Sequence, residues 1–141
     1  MNRIEINSNF SVSEQITLED IKSLKALGIT TLICNRPDGE EPNQLMCCEI
    51  KAEAEKQGIQ FFHIPVAGRE IPQQAFLEFV KTIDQSTAPV HAYCRTGTRS
   101  AIFWALSEAR NCTPEAVLKN AKAVGIDLTP VADQLAKVAN L

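Results

Sequence analysis

The chain has 141 residues, with 17 acidic against 14 basic side chains and a formal net charge of −3. This acidic balance argues against nucleic acid or an anionic membrane as the main partner, and no apolar run reaches the ~18 residues that a membrane span needs. The length predicts one domain over residues 1–141, and because Met1–Glu5 lacks a signal-peptide core, the expected location is cytoplasmic.

The first half of the chain alternates between strand and helix patterns. The elements predicted there, in order, are one or two short strands over 4–12, a helix opened by the capping box Thr17–Asp20, a buried strand over 29–34, a helix over about 43–57 and a strand over 59–66. Gly28 lies where the glycine that follows a helix belongs. Arg36–Gly39 has the composition of a turn.

The second half continues the alternation and then becomes helical. It predicts a third helix with Pro72 at its first helical position, a strand over 89–93, a buried helix over 101–110, and two closing helices that begin at Thr113-Pro114 and Thr129-Pro130. Alternating strands and helices form a mostly parallel sheet with helices on both faces. The predicted fold class is therefore α/β.

The segment from Cys94 to Ser100 carries the strongest functional signal. Cys94 follows a strand, Arg95-Thr96-Gly97-Thr98 forms a short loop, and Arg99 opens a helix. Unpaired N–H groups, the positive end of the helix dipole and guanidinium charge favour an anion in such a loop. The same field favours the Cys94 thiolate, which is the nucleophilic form. The pattern predicts an enzyme that acts on a small anionic substrate, with Arg99 a stronger anion ligand than Arg95.

Other polar residues follow the predicted strands and should meet Cys94 at the carboxyl edge of the sheet. Asp38 and Glu70 are candidates for a general acid, although both are also ordinary loop charges. Cys34 is a candidate redox partner of Cys94, or a buried packing residue. His91 either bonds to the loop backbone or packs in the core. The five cysteines form no Cys-x-x-Cys pair, and with only two histidines no metal site and no cofactor are predicted.

Residues from about Phe10 to Arg110 resemble the bacterial phosphatase-like domain that is related to dual-specificity phosphatases and also occurs fused to beta-lactamase-like hydrolases. The resembling segments are Thr17–Asp20, Leu27–Thr31, Asn35–Glu40, His63–Val66 and Cys94–Ser100. The resemblance implies a phosphatase-like α/β fold, with Cys94 as nucleophile and Arg99 as the oxyanion-binding arginine. It also implies that the Ser100 hydroxyl eases the departure of the Cys94 sulfur.

Two features depart from the dual-specificity pattern. Those enzymes have five residues between a His-Cys pair and the arginine, whereas here Tyr93-Cys94 is followed by four residues before Arg99. They also have an acidic residue where this chain has Ala67-Gly68. The Cys-Arg-x-Gly-x-Arg-Ser loop also resembles that of rhodanese-type sulfurtransferases, in which Cys94 would carry a persulfide. Three functions stay open: a phosphatase, a sulfurtransferase, and an oxyanion-binding module with little activity.

Overall fold

A computed structural model describes residues 1–87 and 89–140, so positions 88 and 141 of the predicted domain lie outside the described residues. The strands are β1 (Ile4–Asn7), β2 (Phe10–Ser13), β3 (Thr31–Cys34), β4 (Gln60–His63) and β5 (Val90–Tyr93). The helices are α1 (Leu18–Ala26), α2 (Cys47–Lys56), α3 (Gln73–Gln85), α4 (Thr98–Glu108), α5 (Pro114–Ala123) and α6 (Ala132–Ala139).

The strands form one sheet in the order β1-β2-β5-β3-β4, in which β1 is antiparallel to β2 and every other pairing is parallel. Apolar residues of α3, α4, α5 and α6 pack on one face, and those of α1 and α2 pack on the other. This architecture confirms the predicted α/β class. It also explains why β3 and β5 are buried along their whole length, since parallel strands covered on both faces have no solvent side.

The parallel register brings the strand ends together. Ser13 and Cys34 both pair with Tyr93, and His63 pairs with Cys34, so four strands end at the same level. Cys94 follows the central strand of this row. The loops after β3, β4 and β5 therefore leave the sheet side by side.

Several element boundaries differ from the sequence prediction. Helix α2 begins at Cys47 rather than near Asn43, because Asn43 has a left-handed φ of 65° and the Gln44 side chain accepts the N–H groups of Glu40 and Glu41. Strand β4 ends at His63 rather than Val66, since Pro65 has no N–H to continue the ladder.

Two further boundaries were wrong near helix starts. Pro72 is the residue before α3 rather than its first helical residue. At the C-terminal end, Thr129–Val131 forms a 3₁₀ turn and α6 begins only at Ala132. Thr113 does cap α5 as predicted, accepting the Ala116 N–H at 3.2 Å.

Within the described residues, no helix is both long enough and apolar enough to cross a bilayer. The same residues contain no group of three or more His, Cys, Asp or Glu side chains that could hold a metal ion.

A buried histidine makes the stability of this fold dependent on pH. His91 is fully buried on β5, and burial, followed by the nearby Arg3 charge, lowers its pKa from 6.5 to about 3, against an opposing effect of Asp20. Between these two values the unfolded chain binds a proton that the native protein does not. The free energy of unfolding should therefore fall as the pH decreases, by about 1.4 kcal/mol per pH unit well below pH 6.5.

Denaturant unfolding between about pH 6.5 and pH 5 measures this slope before most carboxylates titrate. We expect a loss of roughly 1–2 kcal/mol in the wild type over that window. The His91→Gln variant, although less stable, should lose clearly less. If both proteins show the same slope, then His91 is not the residue responsible.

Candidate active site

The backbone around Cys94 forms a tight ring. The Cys94 sulfur accepts the Gly97 N–H at 3.0 Å, and α4 begins directly after this glycine. Gly97 has a φ of 96°, and a Cβ at this position would lie 3.3 Å from the carbonyl carbon and oxygen of Ser13. Only glycine satisfies both the backbone conformation and the close approach. The left-handed Gly97 also explains why α4 begins at Thr98 rather than at Ala101 as predicted, which places Arg99 and Ser100 in its first turn.

Arg99 is held by a carboxylate from a loop 59 residues away in sequence. Its Nη1 and Nη2 donate to the two carboxylate oxygens of Glu40, both at 2.8 Å, and Nη1 also donates to the Val66 carbonyl at 2.7 Å. Hydrogen bonding to Glu40, and then the nearby Cys94 sulfur, raise the pKa of Arg99 above its usual value. Nε and the second N–H of Nη2 take no part in these bonds, so they are the donors that Arg99 has left for an oxyanion.

Glu40 also bonds to a second, buried arginine. Arg36 is 2% exposed, and its Nε donates to Glu40 at 2.9 Å while its Nη1 donates to Gln15 at 2.9 Å. The two guanidinium groups, Arg99 first, lower the pKa of Glu40 to about 2. Glu40 is consequently ionised at neutral pH and cannot donate a proton. In this geometry its two oxygens fix the orientation of the Arg99 guanidinium.

Arg95 differs from Arg99 in its surroundings. Its side chain is 63% exposed and pairs with Glu41, with 2.6 Å between Arg95 Nε and the carboxylate. Such an exposed pair fixes a side chain weakly. Arg99 is therefore held more firmly than Arg95, and its role as the stronger anion ligand stays a prediction.

A cavity of about 490 Å³ opens over this region. The loops after β3, β4 and β5 all contribute to it, and its lining residues are Glu40, Ala67, Gly68, Arg69, Arg95, Thr96, Thr98 and Arg99. Thr96 and Thr98 bond to each other at 3.2 Å within the loop. Among the described residues that line the cavity, three are arginines and one is a carboxylate. The cavity therefore suits an anion.

The structure does not bring the two candidate acids to this cavity. The Asp38 carboxylate accepts the Cys47 N–H at 2.8 Å and lies 3.2 Å from the Cys47 sulfur at the start of α2. Against the effect of burial, these bonds lower the pKa of Asp38. Glu70 lines a separate, mainly apolar cavity of about 420 Å³ beside Phe76 and Leu106. Neither side chain has a contact that would let it protonate a leaving group above Cys94.

Ser100 and Cys34 both lie close to the ring, but with other partners. The Ser100 hydroxyl is fully buried and donates to the Asn35 side chain at 2.9 Å, so it would have to turn to reach Cys94. Cys34 is buried beside Tyr93, and its sulfur donates to the Arg36 carbonyl at 3.3 Å. Burial raises the pKa of the Cys34 thiol. A redox pair of Cys34 with Cys94 stays a prediction, which peptide mapping after mild peroxide treatment would test.

The sequence predicts that the polar residues after the strand over 29–34, Arg36 among them, lie at the same sheet edge as Cys94, but it assigns a role there to neither Arg36 nor Glu40. Both are in the Asn35–Glu40 segment that carries part of the family resemblance, but Glu40 reads as a solvated loop charge. The sequence feature that could have indicated a role for Arg36 is its position two residues after the end of a buried strand, which lies beside β5. A charged side chain there must find a partner at the sheet edge or remain unpaired in the core.

Comparison with known proteins shows which proteins this chain is similar to. The profile of the beta-lactamase hydrolase-like protein, phosphatase-like domain, matches residues 3–111. A beta-lactamase hydrolase-like protein of Agrobacterium fabrum is 34% identical over 109 residues, which are 77% of this chain and 25% of that protein. The chain thus spans about a quarter of the length of the curated relatives it matches.

Solved structures extend the similarity to the whole chain. A candidate phosphatase from Neisseria meningitidis superimposes with a TM-score of 0.85 and 34% identity, covering 98% of this chain and 99% of that one. Kinase-associated phosphatase superimposes with a TM-score of 0.74 at 15% identity, covering 93% of this chain and 85% of that one. These neighbours confirm an α/β fold of the dual-specificity-phosphatase type.

Proposed function

The chain belongs to the family of the phosphatase-like domain of beta-lactamase hydrolase-like proteins, and from that premise we propose that it is a cysteine-dependent phosphatase with Cys94 as its nucleophile. The observation that carries the proposal is the ring at the start of α4, in which the Cys94 sulfur accepts the Gly97 N–H at 3.0 Å and Arg99 follows in the first helical turn. Such a ring stabilises negative charge on sulfur and on phosphate oxygens alike.

The proposed reaction uses these groups, and because Cys94 is fully buried and does not line the cavity, the loop has to open for a substrate to reach its sulfur. A phosphate ester enters the cavity, and its free oxygens bond to the N–H groups of the loop and to Arg99, which Glu40 holds in place. The Cys94 thiolate attacks phosphorus, the ester P–O bond breaks, and the alkoxide or phenoxide leaves with the electron pair and takes its proton from water. Water then attacks the phosphocysteine, the S–P bond breaks, and the sulfur departs as a thiolate. The substrate is a phosphate ester, either small or protein-borne.

The cavity lining predicts a strong dependence on the leaving group. Because its one carboxylate, Glu40, is ionised, the leaving oxygen receives no proton, and the loss of such an acid costs about 10²–10⁴ in rate. A phenoxide tolerates this loss far better than an alkoxide. We therefore expect aryl phosphates to be cleaved at least about 10²-fold faster than alkyl phosphates, as measured by phosphate release.

The controls for this prediction are Asp38→Asn and Glu70→Gln, since both residues lie away from the cavity. Neither substitution should change the ratio of aryl to alkyl rates. Similar rates for the two substrate classes would show that an acid does act, and whichever of the two variants then lost alkyl phosphatase activity would identify it.

A rhodanese-type sulfurtransferase is the second candidate function, supported by the ring itself. Only four residues separate Cys94 from Arg99, and a smaller ring suits a single sulfur atom. The thiolate would attack the outer sulfur of thiosulfate, and sulfite would leave without needing a proton. Cyanide would then take the outer sulfur as thiocyanate and regenerate Cys94. The lack of a proton donor in the cavity lining does not hinder this reaction.

One experiment separates the candidates. The protein is incubated with an aryl phosphate and, separately, with thiosulfate, each reaction is quenched, and the mass of the Cys94 peptide is measured. An added phosphoryl group supports the phosphatase, whereas one added sulfur atom, together with thiocyanate formation in the presence of cyanide, replaces it with the sulfurtransferase. An unmodified peptide and no turnover, with oxyanion binding retained, would leave a binding module. The exposed Cys112 is the internal control for nonspecific modification.

A further inference from the structure

A chain of hydrogen bonds runs through the buried His91 behind the Cys94 loop. Nδ1 of the ring lies 2.8 Å from the Ser11 hydroxyl, and Nε2 lies 2.8 Å from the Ser13 hydroxyl. Both serines belong to β2 and are nearly inaccessible to solvent, at 1% and 2% exposure. At its outer ends, Arg3 Nε donates to Ser11 at 3.1 Å, and Ser13 donates to the Glu14 carbonyl at 2.8 Å.

The partners at the two ends determine where the protons lie. Because Arg3 can only donate, the Ser11 oxygen accepts from it, and the Ser11 proton is free for Nδ1 of His91. Because the Glu14 carbonyl can only accept, the single Ser13 proton points to it, and Ser13 must accept from Nε2 of His91. The network thus assigns a neutral ring with its proton on Nε2. Burial, which lowers the pKa of His91, acts in the same direction.

The chain of hydrogen bonds ends at the Cys94 loop, which comprises residues 94–99. The Ser13 carbonyl accepts the Cys94 N–H at 3.4 Å, and the same carbonyl is the group against which Gly97 packs. Two residues further on, the Gln15 N–H donates to the Arg95 carbonyl at 3.4 Å. Residues 13–15 therefore lie against the backbone of the Cys94 loop. Its position depends on Ser13, whose hydroxyl is held between His91 and the Glu14 carbonyl.

We propose that His91 is a positioning residue, which in its neutral, Nε2-protonated form fixes Ser13 and through it the backbone of the Cys94 loop. This role rests on the proposed chemistry at Cys94. A displacement of about 1 Å in a reacting group can lower the reaction rate about 10²-fold, so a small shift of residues 13–15 that moves the Cys94 loop should lower the rate. Ser11 bonds to the same ring but does not touch the loop.

The two serines provide a matched pair of variants. Ser13→Ala and Ser11→Ala each remove one buried hydroxyl that bonds to the His91 imidazole, and both should lower the melting temperature by similar amounts. Only Ser13→Ala should lower kcat for an aryl phosphate, by roughly 10-fold or more, with KM changed less than threefold. Equal kcat values in the two folded variants, whether both are normal or both are reduced, would overturn the proposal.

The protonation state has its own measurement. Nitrogen-15 NMR of the wild-type ring at neutral pH should show a protonated Nε2 and an unprotonated Nδ1, despite the nearby charges of Arg3 and Asp20. An imidazolium ring or the opposite tautomer would overturn the assignment.

If the wild type turns over neither an aryl phosphate nor thiosulfate, the proposed function fails. The alkylation rate of Cys94 in the two serine variants then replaces kcat, and equal rates would contradict the positioning role.

Discussion

Replacing Cys94 with serine is expected to abolish turnover and to leave oxyanion binding nearly unchanged. A serine hydroxyl with no adjacent base is a weak nucleophile at neutral pH, and loss of a covalent nucleophile costs about 10⁴-fold or more in kcat. The binding groups are unaffected, because the Gly97 N–H belongs to the backbone and Arg99 is held by Glu40 and Val66. The measurements are kcat for an aryl phosphate and calorimetric binding of inorganic phosphate.

Cys112→Ser provides the control for this variant. Cys112 is exposed, and its sulfur lies 3.9 Å from the Glu108 carboxylate, outside the cavity, so its replacement should leave both measurements at wild-type values.

Alkylation of the wild type adds a second readout. If the ring favours the thiolate, a small haloacetamide should modify Cys94 faster than the other four cysteines, although the Cys94 side chain is fully buried. Turnover in Cys94→Ser, or slower modification of Cys94 than of Cys112, would contradict its role as nucleophile.

Local patterns predicted the elements that carry the site. The order of strand, glycine-containing loop and helix around Cys94 requires only short-range chemistry, and β5, the ring and α4 appear in that order. The alternation of strands and helices likewise predicted a parallel sheet, and the parallel sheet brings the loops after β3, β4 and β5 together. Neighbouring residues determine these features, which is why a single sequence was sufficient to predict them.

Long-range ion pairs could not be predicted in this way. Glu40 and Arg99 are 59 residues apart, and nothing in either local sequence indicates that they meet in a bidentate pair. Asp38, two residues before Glu40, points instead to the start of α2, where Cys47 bonds to it. A difference of two positions thus separates a cavity carboxylate from one outside it. The turn around Asn43 and Gln44 decides this outcome, and its left-handed residue is an asparagine rather than a glycine.

The buried histidine shows the same limit. The sequence left open whether His91 bonds to the loop backbone or packs in the core, and the structure shows a ring that is buried and bonds through both nitrogens. Its partners are on β2, 78 and 80 residues away, and the register of β2 against β5 brings them opposite the ring. Register between distant strands follows from the whole sheet rather than from either strand alone.

Replacing Arg99 with lysine is expected to remove most of the activity, and replacing Arg95 with alanine much less. The planar guanidinium of Arg99 binds Glu40 with two nitrogens and still offers Nε to an oxyanion, whereas a lysine ammonium cannot occupy both geometries at once. Loss of a donor aimed at a developing oxyanion costs about 10²–10³ in kcat. The exposed Arg95–Glu41 pair contributes little to order, so Arg95→Ala should cost less than about 10-fold.

The comparison between the two arginines is the sharpest part of this test, because their side chains border the same cavity and both are paired with glutamates. If the cavity acted through positive charge alone, Arg95→Ala, which removes a charge, would lower kcat more than Arg99→Lys. A loss through geometry would be confined to Arg99→Lys, which conserves the charge. Equal reductions in kcat, or a larger reduction in Arg95→Ala, would therefore contradict the assignment of Arg99 as the residue that binds the transferred group.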